Sequence, residues 1–169
     1  IAIGFGRTGK MFAFEHYDIE PDIVCIGKGL GGGIIPIAGI VTRDRFNTAT
    51  EISLGHFTHE KSPLGAVAGL AMLDTIEREA LLEKSVQEGE WFGQQLRNLM
   101  TKFPLIGDVR GTGLLWGVEL VRDRQTRERA TAEADKVLYQ CLKNGLSFKV
   151  SQGNVLQLSP PLIITRAQL

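Results

Sequence analysis

Cysteine, tyrosine and tryptophan occur only twice each in this chain of 169 residues, and formal net charge is absent altogether. Two cysteines, Cys25 and Cys141, cannot build the multi-bridge framework of a small secreted domain, and they read as reduced thiols of a cytoplasmic protein. Nineteen Lys and Arg balance nineteen Asp and Glu, so there is no basic excess to displace counterions from a nucleic acid or an anionic bilayer. Neither partner is expected. The longest apolar run, residues 29–41, is too short and too interrupted by glycine and proline to cross a membrane. The chain has no internal repeat and no low-complexity tract. Its 43% hydrophobic and 22% charged content suits a folded protein rather than a disordered one.

An initiator Met is missing as well. The chain opens on Ile1-Ala2-Ile3, which reads as the end of a strand. It closes soon after Thr165-Arg166-Ala167-Gln168, a capping box that announces a helix. A helix stopping at Leu169 would not repay its nucleation. The expectation is a piece of a longer protein.

What the chain has in abundance is glycine, 20 of 169 residues against a usual ~7%. Many lie in two loops, residues 4–10 and 27–33. Between them, Pro21-Asp22 introduces Ile23-Val24-Cys25-Ile26, a continuous apolar run of the buried-strand type. Residues 34–42 read as a second strand interrupted by Pro36, and residues 43–53 as a surface helix and loop. Ser62-Pro63 is a helix start, with helical patterning over residues 64–77 and again over 79–102. Residues 114–121 then read as a strand, 123–131 as a charged solvated loop, and 133–142 as a helix closed by Asn144-Gly145. Strands at 146–150 and 155–159 flank a Ser151-Gln152-Gly153-Asn154 turn. The expected organisation is an α/β half over residues 1–78, a connecting helix over 79–104 and an α+β lobe over 105–169.

Gly4-Phe5-Gly6-Arg7-Thr8-Gly9 matches G-x-G-x-x-G, and with Lys10 nearly matches the nucleoside-triphosphate loop. Met11 stands where a hydroxyl must hold Mg²⁺, so that chemistry fails. No acidic residue follows at the distance a dinucleotide ribose requires. Lys28 is the stronger candidate. It ends an apolar strand, where open α/β sheets place their ligands, and glycines flank it. In a dry setting desolvation would penalise its ammonium form and leave an amine able to form a Schiff base with an aldehyde. A surface lysine in a glycine turn fits the local pattern equally well. His56, His59 and Glu60 raise a metal site, but no third ligand accompanies the histidines. Thr58 precedes the Ser62 helix start, where a hydroxyl and backbone donors suit a phosphate; a plain loop threonine is the alternative.

Taken together, Gly4-Phe5-Gly6-Arg7-Thr8-Gly9-Lys10, Pro21-Asp22-Ile23-Val24 and Gly27-Lys28-Gly29-Leu30-Gly31-Gly32-Gly33 strongly resemble the class III aminotransferases. These are the ω-aminotransferase-like enzymes of pyridoxal-phosphate (PLP) fold type I. The likeness continues through Thr58, Ser62-Pro63-Leu64-Gly65-Ala66, Arg110-Gly111-Thr112-Gly113-Leu114 with Gly117-Val118-Glu119, and Ser159-Pro160-Pro161-Leu162-Ile163-Ile164-Thr165. It runs the length of the chain, in order, and corresponds to the C-terminal part of such an enzyme.

The resemblance implies an α/β fold: part of the PLP-binding large domain over residues 1–78, followed by an α+β small domain. It implies that Lys28 holds pyridoxal 5'-phosphate as a Schiff base and moves a proton between the substrate and the cofactor. Thr58 would bind the PLP phosphate across the interface of a homodimer with shared active sites. The implied reaction transfers an amino group from an amine or amino acid to a keto acid. Racemisation, epimerisation or elimination on the same scaffold, or a non-catalytic fragment, are the alternatives. The aspartate that pairs with the pyridine nitrogen and the phosphate cup would fall before Ile1, so this chain alone is not expected to bind PLP tightly. The family's frequent glutamine near the phenolic oxygen falls on Ala2. The arginine that clamps an α-carboxylate falls on Gln157, a candidate substrate-binding residue. A bidentate arginine–carboxylate pair is stronger than a neutral amide contact. Gln157 therefore suggests an ω-amine, an amino acid in an inverted pose or an aminophosphonate, with His59, Glu60 and Lys61 helping to shape the pocket.

Overall fold

Two stretches of differently patterned chain fold as two units. The computed structural model describes residues 1–169 apart from Leu54, His56 and Phe57. Ile1–Gly6 and Lys10–Leu81 form the first unit, and Arg7–Gly9 and Leu82–Leu169 the second.

In the first unit the apolar run Ile23–Ile26 is strand β1, antiparallel to β2 (Gly39–Thr42), with Ile23 opposite Thr42 and Ile26 opposite Gly39. The second expected strand is therefore shorter than residues 34–42, because Pro36 has no N–H to give to a ladder. Nor is β1 buried on both faces: Ile23 is 52% exposed and Ile40 on its partner 66%. A two-stranded ribbon has no second layer to cover it. Residues 1–3 form no strand, since nothing among the described residues pairs with them, and 43–53 yields only a 3₁₀ turn at Asp44–Phe46. Helix α1 (Pro63–Arg78) starts as predicted with Ser62 at its N-cap, although the Ser62 hydroxyl makes no capping bond. Leu30 packs beside Gly69 of this helix, and Ile37 beside Gly65.

Ala80, at φ 49°, breaks the helical path after Glu79, so helix α2 (Leu81–Lys102) begins later than its patterning suggested. From Leu82 onward α2 groups with the second unit. There an antiparallel sheet has the order β3-β4-β7-β6, formed by β3 (Ile106–Thr112), β4 (Leu115–Asp123), β7 (Val155–Leu158) and β6 (Lys149–Ser151). The two-residue strand β5 (Glu128–Arg129) pairs with the end of β4. Along β4 burial alternates with period two, sending Trp116, Val118 and Leu120 into the core. They meet Leu156 of β7, Leu96 of α2, and Ala130 and Ala134 at the start of helix α3 (Thr131–Lys143). Gly145, at φ 85°, closes α3 as the Asn144-Gly145 pair predicted.

Strand β3 was not expected. Two glycines and no alternation hide it in the sequence, and pairing with β4 makes it. The charged loop at 123–131 is more ordered than expected: the Asp123 carboxylate accepts the backbone N–H groups of Gln125 and Thr126, each at 2.7 Å. At the 151–154 turn, buried Asn154 and Leu120 exchange two bonds. The Asn154 side-chain nitrogen donates to the Leu120 carbonyl at 2.9 Å, and Leu120 N–H donates to the Asn154 carbonyl at 2.8 Å.

Candidate active site

Lys28 opens the 3₁₀ turn Lys28–Gly31 directly after β1 and Gly27. Its backbone is left-handed, φ 50°, a conformation uncommon outside glycine. Leu30 anchors the turn by burying its side chain beside Gly69, while Lys28 itself stays exposed. The dry setting expected from the sequence is thus not supplied by the described residues, among which no layer covers the end of β1. The amine makes no hydrogen bond or ion pair among the described residues. It opens on a shallow, apolar hollow of about 470 Å³ lined by Ile35, Pro36, Ile37 and Ala38.

Thr58 is exposed in the turn that leads to α1, where Ser62 N–H donates to the His59 carbonyl at 3.1 Å. No hydrogen bond joins Thr58 to Lys28 among the described residues. His56, half of the metal pair considered from the sequence, lies outside the described residues. Among those that are described, no group of three or more His, Cys, Asp or Glu side chains could hold a metal ion.

Gln157 belongs to the second unit. On β7 it stands between Gly117 of β4 and Lys149 of β6. Half-buried, it lines a cleft of about 420 Å³ with Lys149, Ser159 and Pro160.

Sequence reasoning weighed the glycine loop at residues 4–10 as a phosphate cradle and missed what Arg7 does. Its guanidinium donates to the Leu114 carbonyl at 3.0 Å and to the Pro160 carbonyl. In return its own carbonyl accepts Leu114 N–H at 3.0 Å and the Ser85 hydroxyl at 3.3 Å. Burial pushes the guanidinium below the usual arginine range. Three of the segments that carry the family likeness therefore meet at one side chain: the glycine loop, the Gly113-Leu114 turn and the Pro-Pro segment. The signal available in the sequence was an arginine set between glycines in a loop with no phosphate chemistry to serve. On the polar face of the sheet, Arg110 pairs with Asp108 and Glu119, and those two bonds raise its pKa.

Comparison with known proteins settles the family. The profile described as "Aminotransferase class-III" matches residues 1–169. This chain is a class-III aminotransferase family member. It is 59% identical over 166 residues to an (R)-1-hydroxy-2-aminoethylphosphonate ammonia-lyase of Vibrio splendidus, covering 98% of this chain and 35% of that protein. It is 43% identical to a leucine/methionine racemase of Thermococcus litoralis, covering 98% of this chain and 37% of that one. Among solved structures, an amine transaminase from an uncultivated Pseudomonas species, in its PLP-bound form, matches with a TM-score of 0.90 at 30% identity. That match covers 98% of this chain and 39% of the transaminase. The class-III chain thus spans little more than a third of the length of the relatives it matches. Its α/β fold is that of the C-terminal part of fold type I, and membership implies pyridoxal phosphate as cofactor. The residues present fit that group: an amine unpaired among the described residues beside an apolar hollow, and a threonine hydroxyl ahead of a 16-residue helix.

Proposed function

We propose that the class-III chain belongs to a PLP-dependent enzyme that releases ammonia from a small amine whose anionic group is not an α-carboxylate. When bound, pyridoxal phosphate supplies an aldehyde for amines and a ring that accepts the electron pair left at the substrate carbon. Lys28 is the Schiff-base lysine and, once displaced by substrate, the base that takes the proton from the amine-bearing carbon. Thr58 donates its hydroxyl to the cofactor phosphate. Gln157 meets the substrate as a neutral amide. For a 2-amino-1-hydroxy substrate the net change needs no oxidant. A proton leaves the amine-bearing carbon and hydroxide leaves its neighbour, giving an enamine; that neighbour then takes a proton to give an imine, which water converts to a carbonyl with loss of ammonia.

Ammonia release is supported above all by the 59% identity to the hydroxy-aminoethylphosphonate ammonia-lyase. Amino transfer to a keto acid is the second reading, favoured by the likeness to the amine transaminase. The same proposal makes residues 1–78 the end of a PLP-binding large domain, 79–104 its connecting helix and 105–169 a small domain. It makes the enzyme a cytoplasmic homodimer in which Thr58 serves the neighbouring subunit's cofactor.

The test is holoenzyme given (R)-1-hydroxy-2-aminoethylphosphonate without a keto acid. Ammonia and a carbonyl product should appear in equal amounts. Alanine formed only when pyruvate is added, with no free ammonia, would establish transfer instead. Borohydride reduction followed by peptide mass mapping should place the pyridoxyl group on Lys28, and an adduct on another lysine would end the assignment.

A further inference from the structure

We propose that Asn144 is a site of spontaneous, irreversible deamidation, and that its conversion dismantles the motif that ends α3. The proposal is independent of the reaction proposed above.

Asn47, Asn98, Asn144 and Asn154 are the asparagines of this chain. Asparagine is a thermolabile residue, because the backbone nitrogen of the next residue can attack its Cγ. A C–N bond then closes a five-membered succinimide and the Cγ–Nδ2 bond breaks. The side-chain nitrogen leaves as ammonia, taking the proton lost by the attacking nitrogen. Water opens the ring at either carbonyl, to aspartate or to isoaspartate, and no oxidant or other reactant is needed.

A side chain on the following residue crowds that attack. Asn47 and Asn154 precede the β-branched Thr48 and Val155, and Asn98 precedes Leu99. Asn154 is also buried, with its side-chain nitrogen bound to the Leu120 carbonyl. Asn98 lies inside α2, where its Oδ1 accepts the Gln94 amide at 3.0 Å. Asn144 alone precedes a glycine. Both Asn144 and Gly145 are exposed, and the place where a Gly145 side chain would stand is open space.

The fold sets what the reaction must wait for. Gly145 N–H donates to the Leu142 carbonyl at 3.0 Å, and Leu146 N–H donates to the Cys141 carbonyl at 2.9 Å. With Gly145 left-handed at φ 85°, these are the paired bonds of a Schellman ending. While the first bond holds, the Gly145 nitrogen is engaged with its own helix rather than with Asn144 Cγ. The last turn must open first, and an exposed helix end opens at little free-energy cost. Leu142, Lys143 and Leu146 are all exposed. Conversion in the folded protein therefore runs through the frayed end and is slower than in an unstructured peptide.

Either product damages the cap. Isoaspartate adds a methylene to the main chain between Asn144 and Gly145, so the two bonds can no longer close together. Aspartate keeps the chain length but sets a carboxylate at the negative end of the α3 dipole. Beyond the cap, Phe148 packs on the core and leads into β6, so the damage loosens the link between α3 and the sheet.

The experiment ages the PLP-loaded enzyme at mildly alkaline pH beside a synthetic peptide of residues 142–149, with unaged enzyme as the blank. Tryptic mass mapping should find the amide-to-acid mass gain in the peptide Asn144–Lys149, split between two species of equal mass. It should appear more slowly than in the synthetic peptide, while Asn47, Asn98 and Asn154 keep their amides. Asn144→Gln should stay unchanged, since glutamine would need a six-membered ring. Hydrogen exchange at Gly145 and Leu146 should be faster in aged wild type than in aged N144Q. An amide retained at Asn144 while the synthetic peptide converts, or an earlier conversion at another asparagine, would overturn the site. A rate equal to that of the peptide would overturn the control by the helix end, and unchanged exchange in converted protein would overturn the loss of the cap.

Discussion

Replacing Gly89 by alanine tests how the second unit is held together. Gly89 and Gly93 lie inside α2, where each costs about 1 kcal/mol of helix propensity relative to alanine. Gly93 faces the Trp116 ring, with Cζ3 2.8 Å from where a Cβ would stand. At Gly89 the obstacle is main chain: a Cβ would fall 2.8 Å from the Gly113 Cα and nearer still to its carbonyl. That turn cannot retreat. The Trp116 indole N–H donates to the Gly113 carbonyl at 2.8 Å, and Leu114 N–H donates to the Arg7 carbonyl at 3.0 Å. Gly113, at φ 50°, already has the Arg7 carbonyl 2.7 Å from its own Cβ position. Overpacking costs about 1–3 kcal/mol, and shifting the turn weakens a hydrogen bond worth about 1 kcal/mol. The alanine propensity gain of about 1 kcal/mol offsets only part. The expected net loss is about 1–3 kcal/mol, read as a lower urea midpoint by tryptophan fluorescence, or as a Tm lowered by about 2–4 °C per kcal/mol. Gly69→Ala in α1 is the control, because its Cβ would meet Leu30 at an ordinary 3.5 Å and should gain up to about 1 kcal/mol. A Gly89→Ala chain as stable as the parent, or more so, would refute the close-packing argument.

Arg7→Ala should cost about 2–3 kcal/mol by leaving the Leu114 and Pro160 carbonyls without their donor, measured by denaturant unfolding; Arg7→Lys should recover only part, since one ammonium lacks the planar fork. The Asp123 carboxylate is held below the ordinary aspartate range by the N–H groups of Thr126 and Gln125. Because its folded pKa is the lower one, its contribution to stability is full above the unfolded value of about 3.9 and disappears as pH falls through the folded value. Carbon-detected NMR titration should show the depressed carboxyl, and Asp123→Asn should remove that part of the acid limb; a carboxyl titrating at the ordinary value would contradict it. Gln157→Arg in the holoenzyme should shift preference toward α-amino acids, measured as the ratio of kcat/KM values for an α-amino acid and an aminophosphonate. An unchanged ratio would sink the substrate argument built on that residue.

The parts of this protein legible in its sequence are those whose partners lie a few residues away. Ser62-Pro63 opens α1, Asn144-Gly145 closes α3, and the 151–154 turn joins β6 to β7. The Thr165–Gln168 box forms its reciprocal bonds, with Gln168 Oε1 accepting Thr165 N–H at 2.9 Å. Each is decided by short-range sterics or a hydrogen bond that the local residues complete themselves. The order of motifs that marks the family was legible for the same reason that any linear pattern is. Tertiary structure alone decided the rest. It made a strand of β3, gave Arg7 its two distant carbonyls, set Gly89 against Gly113 and placed Lys149 opposite Gln157. It also left Lys28 in the open where its apolar strand had suggested burial. Exposure and close approach depend on which distant segments are present to cover a residue, and no window along the chain carries that information.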